Sequence, residues 1–449
     1  MRSPALIVSL LLLALVRPAL AAVEIVNGPM IGHVSDSSAH IWMQLNTSAK
    51  VAIHVFDRRN NEIAAVSSDV EGPAPFVYDT PIGSLEPNTL YHLELSIDDK
   101  KVNLPQNLEI TTAPVPGDAA TFSVAFGSGL DPKSDATALF KSVRLARPRE
   151  FLFLGNCGLL PATEADFPAK HRDAFRTITD FHKQVRATPE LQPLFRTIPT
   201  CAVWDDRDFG PALAGKDFVH AQESLIAFTR FWSNPDFGTP DVPGVFCNFT
   251  LADADFFMLD DRLYRTTLLS PAAAATQPAG SMLGEGQLAW LKEKLKASSA
   301  RFKIIACGNP MLRDQSRAQS WADYPAEREA FLKWIFDSKI TGVLFISGGG
   351  VTGGLTVRKP DAKVASAYPL FDLTSASLST DTPPPAPAAT LPATPDQSLS
   401  LGVVGDHHFG ELEFGGPRTK RFVTLRLHDA AGKTKIEKVI FADDLKPAP

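Results

Sequence analysis

From Val23 to about Pro114 the chain alternates apolar and polar positions in short runs. His40-Ile-Trp-Met-Gln-Leu45, Val51-Ala-Ile-His-Val-Phe56 and Leu90-Tyr-His-Leu-Glu-Leu95 each interleave the two kinds of residue. Turn clusters such as Asp57-Arg-Arg-Asn-Asn61 and Glu86-Pro-Asn-Thr89 separate them. A period of two places every second side chain on one face, so this stretch predicts an antiparallel β-sandwich over residues 22–114. From Ala120 the rhythm changes. Solid apolar runs of strand length, Thr121–Phe126, Phe151–Leu154, Pro199–Trp204, Phe302–Ala306 and Gly342–Ile346, alternate with helical stretches near 136–145, 165–185, 221–232, 287–295 and 326–336. Val245–Leu259 reads as further strand material, and Phe409–Phe414, Phe422–Leu427 and Lys435–Ala442 as late strands. Strand–helix alternation with runs apolar throughout predicts an α/β domain over 120–449 whose sheet is covered on both faces.

Two segments fall outside this pattern. Met1–Ala21 has Arg2 at its start, an apolar stretch from Ala5 to Val16 and a small-residue Ala19-Leu-Ala21 end. That is the layout of a secretory signal peptide, and it predicts export to a periplasm or the extracellular space with no membrane span after its removal. Pro383–Pro395 is low in complexity, and a flexible, disordered Pro/Ala-rich surface insertion is expected at about 380–397.

The 449-residue chain has a formal net charge of −6, and without Arg2 and Arg17 it holds 42 basic against 50 acidic residues. Such a balance gives no electrostatic footprint for nucleic acid or an anionic membrane. Cys157, Cys201, Cys247 and Cys307 all lie in or at the end of apolar strand-like runs, which favours buried free thiols, and no CxxC or Cys/His zinc spacing accompanies them. A GxSxG elbow, a P-loop lysine and a dinucleotide fingerprint are also missing.

The candidate chemistry sits at strand ends, where an open α/β sheet places its ligands. The motifs are Phe126-Gly-Ser-Gly129, Leu154-Gly-Asn-Cys-Gly-Leu159, Trp204-Asp-Asp-Arg-Asp-Phe-Gly210 and Ser347-Gly-Gly-Gly-Val351. They resemble the strand-end motifs of the PhoD-like (alkaline phosphatase D-like) family of calcineurin-type metallophosphatases, roughly FGSC, LGDxxY, WDDHDxG and SGDxH. Leu259-Asp-Asp-Arg-Leu-Tyr-Arg265, Leu283–Leu291, Trp321–Arg328 and Tyr368–Ser375 match further scaffold phrases of that family. The resemblance implies a four-layer α/β/β/α sandwich behind a fibronectin-III or Ig-like N-terminal module, and a multinuclear metal site for phosphate-ester hydrolysis.

The matched site positions have changed. Gly129 stands for Cys, Asn156 for Asp, Leu159 for Tyr, Arg207 for His, Gly349 for Asp and Val351 for His. Asn156 keeps an aspartate's shape without its charge, the glycines and apolar residues remove donors, and a guanidinium repels a cation. Two metal ions roughly 3.5 to 4 Å apart need a bridging carboxylate and further anionic ligands. The expectation is therefore a degenerate phosphatase-family protein with no metal cofactor, acting in binding or as a scaffold for a small anionic ligand or a protein. The rival expectation is a hydrolase with a reduced metal site.

Asp205, Asp206 and Asp208 are the remaining acidic cluster. They read either as a single-ion site or, the favoured reading, as partners of Arg207, of backbone amides or of the following loop. Arg207, Arg262, Asn309 and His408 are candidates for ligand binding, with Asp260 and Arg262 expected to form a structural ion pair or a supporting contact below the site. Of the adjacent His407 and His408, at most one can face inward on a strand.

Overall fold

A computed structural model describes residues 22–267, 280–313, 320–349, 352–361, 363–380 and 398–447. The leader read at 1–21, nearly all of the Pro/Ala-rich insertion and Val351 lie outside the described residues.

Residues 25–111 form two antiparallel sheets. One holds Ile25–Val34, Ala39–Leu45 and Phe76–Ile82; the other holds Glu62–Val70, Ala49–Phe56, Leu90–Ile97, Lys100–Lys101 and Leu108–Thr111. Their alternate apolar side chains, among them Ile41, Met43, Ile53, Val55, Leu93 and Leu95, meet in one core. The period-two pattern thus buries one face of each sheet.

The larger domain is mixed α/β with two facing sheets. The first has the order Thr200–Val203, Glu150–Leu154, Phe122–Gly127, His408–Gly415, Phe422–Asp429, Thr434–Phe441. Its first three strands are parallel and the rest antiparallel. The second has the order Cys247–Leu251, Ala254–Met258, Phe302–Cys307, Val343–Ser347, Leu370–Thr374, Gly353–Arg358, Ser398–Val404. Glu150–Leu154, Phe302–Cys307 and Val343–Ser347 are buried at every position, as their uninterrupted apolar runs require. Phe414 of the first sheet stacks on Phe122 at 4.7 Å and meets Phe256 and Phe302 of the second at 6.2 and 5.4 Å. Burying such a ring contributes about 1.5–3 kcal/mol.

Two details go beyond the sequence reading. The strand material of Val245–Leu259 is a hairpin, because Ala252 turns at φ 53° and Asp253 carries a buried carboxylate. Arg421 grips that carboxylate through Nε at 2.8 Å and Nη2 at 2.7 Å, tying the hairpin to the other sheet. The strands Gly353–Arg358 and Ser398–Val404 were not anticipated; they are short, polar or glycine-bearing, and lie at the outer end of their sheet. All four cysteines are free and buried. Among the described residues no helix is long and apolar enough to cross a membrane.

The two domains are joined by packing as well as by chain. Trp42 and Met30 of the sandwich belong to the core of the larger domain, and the Trp42 indole donates to the Arg230 carbonyl at 2.8 Å. Gly32 lies against Ser233, where an added Cβ would sit 2.5 Å from the serine side chain. His33 bonds Glu150 at 3.0 Å.

Candidate functional site

The parallel registers bring the C-terminal strand ends to one edge: Phe153 lies beside Gly127, Leu154 beside Val203, and Cys307 beside Ser347. The loops that follow pack tightly on one another. Gly349 N–H donates to Ser128 Oγ at 2.9 Å, Gly348 N–H to the Cys307 carbonyl at 3.0 Å, and Leu130 N–H to the Asn156 carbonyl at 2.8 Å. Ser128, Asp205, Asn309, Ser347, Asp261 and Arg262 are all buried, so the edge is filled by side chains.

Asp205 is the hub. Its Oδ1 accepts from the Arg262 guanidinium, from Asn309 Nδ2 at 2.6 Å and from the Asp206 amide at 2.8 Å, and its Oδ2 accepts from Asn156 Nδ2 at 2.8 Å. Asp208 folds back on the same turn. It takes the Asp205 amide at 3.0 Å, the Cys157 amide at 2.7 Å and the Asn156 amide, which makes Asp205 and Asp208 a capping box for the short turn Asp206–Phe209. Asp206 accepts from the Leu213 amide at 3.0 Å. Asn156 adopts φ 52° and uses its side-chain oxygen for the Arg207 amide at 3.0 Å.

Arg207 corrects one expectation. Its guanidinium does not reach the carboxylates but donates from Nε and Nη2 to the Leu160 carbonyl, with the Nε contact at 3.0 Å. Arg262 makes a supporting contact with Asp260 and not an ion pair. Asp260 takes its backbone amide at 3.0 Å and the Trp204 indole at 2.6 Å, while the Arg262 guanidinium pairs with Asp205 and with Asp261, the latter at 3.5 Å. An incoming anion would have to displace two buried carboxylates to reach Arg262. Asn309 Nδ2 also donates to Asp261 at 2.5 Å, and its oxygen accepts from Arg265 at 3.3 Å.

The remaining positions lie around this knot. Leu159 is 48% exposed on the rim. Gly129 has φ 72° and an added Cβ there would meet the Ala376 carbonyl at 2.4 Å; Gly349 has φ 65° and would meet the Gly308 carbonyl at 2.6 Å. Ser347 Oγ donates to Asp372 at 2.8 Å. His408 is buried, His407 partly exposed. The His408 Nδ1–H donates to the Asp406 carbonyl at 2.5 Å and its Nε2 accepts the Ala376 amide at 3.0 Å, so both ring nitrogens are engaged in the neutral form. Burial pushes this imidazole down to about 4.

Burial likewise dominates the carboxyls. It pushes Asp205 up to about 7, with Arg262 pulling back and Asp206 and Asp261 pushing further, and Asp208 up to about 7 against three amide donors. Asp261 is raised to about 6 by burial, again with Arg262 opposing. Arg262 is held above its ordinary value by the surrounding carboxylates, which outweigh its own burial.

A binuclear metal centre does not fit these residues. Its ligands must turn free carboxylate or imidazole electron pairs toward the ions. Here the Asp205 oxygens face a guanidinium, two carboxamide N–H groups and an amide, and the Asp208 oxygens face three amides. Arg262 occupies the centre as a fixed cation.

Comparison with known proteins places this geometry in context. Residues 239–391 match the model of the PhoD-like phosphatase family, and residues 22–115 match a domain of unknown function (DUF7800). The alkaline phosphatase D of Bacillus subtilis (strain 168) is 23% identical over 206 residues, covering 38% of this chain and about a third of that protein, 35%. The solved structure of PhoD superposes with a TM-score of 0.75 at 16% identity, covering 95% of this chain and 90% of that one. The purple acid phosphatase PPD1 from yellow lupin (Lupinus luteus) seeds superposes at 0.64 and 12%, covering 92% and 74%.

Proposed function

We propose that this chain, whose fold is that of a PhoD-like metallophosphatase, is a catalytically degenerate protein that works by binding or as a scaffold rather than by hydrolysis. The reading takes its architecture as the four-layer α/β/β/α sandwich with an Ig or fibronectin-III type module in front. It places the protein outside the cytoplasm on the strength of the Met1–Ala21 pattern. The observation that carries it is the use made of Asp205: four donors converge on this carboxylate, three of them from distant parts of the chain, and one of those is a buried guanidinium. A carboxylate engaged in this way holds loops together, and a metal ion approaching it meets the fixed positive charge of Arg262. Its ligand is an unidentified small anion or a protein partner.

The rival is a metal-dependent phosphomonoesterase or phosphodiesterase working through a reduced site at Asp205, Asp206 and Asp208. Hydrolysis of bis-p-nitrophenyl phosphate by the purified chain, with divalent and trivalent metal salts added, separates the two. The expected rate equals the buffer background and does not change in Asp206→Asn. Metal-dependent turnover that disappears in Asp206→Asn would establish the rival.

A further inference from the structure

A second cluster lies behind the strand-end knot, where nothing in the family resemblance puts a ligand. His171 opens the helix His171–Ala187, His220 stands at the N-terminus of the helix Ala221–Phe231, and Glu223 lies in that helix's first turn. One ligand atom from each lies within 4.8 Å of the other two. His171 Nδ1 is 2.6 Å from Glu223 Oε1, and His220 Nδ1 is 3.9 Å from Glu223 Oε2. The imidazoles are nearly perpendicular, at 83° with centroids 5.1 Å apart.

Two atoms of this cluster are left without a hydrogen bond although they are buried: His220 Nδ1 and Glu223 Oε2. His220 is only 2% exposed, held edge-on by Phe218 at 5.7 Å and stacked by Phe167 at 6.3 Å. A buried imidazole nitrogen and a buried carboxylate oxygen turned toward one another, too far apart to bond, cost free energy unless something sits between them. A divalent ion at that point satisfies both. The His171 side chain is 70% exposed, so the third ligand also opens the position to solvent.

We propose that His171, His220 and Glu223 form a mononuclear zinc site. Two imidazoles and one carboxylate, with a water in the fourth position, form a donor set that zinc takes readily. The ion ties the start of one helix to the start of another. Its neighbourhood reaches the strand-end loops, because Phe218 also packs on Phe209 at 5.6 Å and Ser224 Oγ donates to the Phe209 carbonyl at 2.5 Å. Among the described residues the other grouping of the same kind is His33, Glu150 and Cys201; there Glu150 Oε1 bonds both others at 3.0 and 2.8 Å and all three are buried, whereas here only His171 bonds Glu223, at 2.6 Å, and His171 is exposed.

The test is zinc titration of the purified, tag-free, chelator-treated full chain against a chromophoric competitor, with metal content measured after gel filtration. About one zinc per chain is expected, and affinity should fall at least about 10-fold in His171→Ala and in His220→Ala. His171→Ala guards against misfolding, since its side chain is largely exposed; far-ultraviolet circular dichroism and a zinc-dependent rise in unfolding temperature, present in the parent and lost in the variant, complete the assignment. Failure to bind zinc, binding that survives in both histidine variants, or binding lost instead in Cys201→Ser overturns it. None of these results depends on phosphatase activity.

Discussion

Replacing Arg262 by methionine is expected to destabilise the folded chain by about 3–5 kcal/mol, because it strips the counter-ion from carboxylates that cannot reach water. Asp205, Asp261 and Arg262 are all 0% exposed, and the guanidinium is the cation paired with both acids. The size of the loss reflects the uncompensated charges and not the net value of the intact pair, whose attraction is offset by its own desolvation. The pH dependence follows in sign. Folded Asp205 and Asp261 titrate at about 7 and about 6, above the ordinary 3.8. Carboxyls raised in this way contribute stability that is present below about pH 4 and lost as pH rises through the folded values. Removing Arg262 raises them further, so the deficit of Arg262→Met should be smaller at about pH 5 than at about pH 8. Denaturant unfolding at the two pH values measures it. A variant as stable as the parent at both would mean that the ion-paired knot does not hold the loops together.

Putting back the family's aspartate at Gly349 is expected to weaken the protein by about 2–4 kcal/mol instead of regenerating a site. The backbone there has φ 65°, and a Cβ would lie 2.6 Å from the Gly308 carbonyl and 3.2 Å from Asp205 Oδ2. The new carboxylate would also face one that is already buried. Gly349→Ala shares the backbone and contact costs, so the difference between the two variants reads the added charge. Unfolding midpoints and metal content of both are the measurements. A stable Gly349→Asp protein that acquires bound metal would show that the chain stands one substitution from a working centre.

Much of this site was visible in the residues. Apolar runs of strand length ended in Ser128-Gly129, Asn156, Asp205-Asp206 and Gly348-Gly349, and parallel pairing brings such ends to one edge. The partners were not visible. Arg262 meets Asp205 across 57 positions and Asn309 meets it across 104, and no local pattern encodes such distances. Arg207 was expected among acids four residues wide, yet the nearest acceptor in space is a carbonyl that carries no side-chain signature, Leu160. The His171 and Glu223 contact spans 52 positions without a motif, and the orphaned His220 Nδ1 and Glu223 Oε2 beside it appear only once the chain is folded. The strands Gly353–Arg358 and Ser398–Val404 escaped for a different reason: the first opens on two glycines, the second is the edge strand and carries Gly402, and neither shows a sustained apolar run.

The seam between the sandwich and the larger domain bears on how the protein must be handled and on what it offers a partner. Excising the first hundred or so residues would uncover an oily socket around Phe231, from which Trp42 had been withdrawn, and leave Glu150 without its imidazole. Truncates are therefore poor reagents for mapping recognition, since a lost interaction could report collapse of the socket. Any molecule that grips one module moves the other with it.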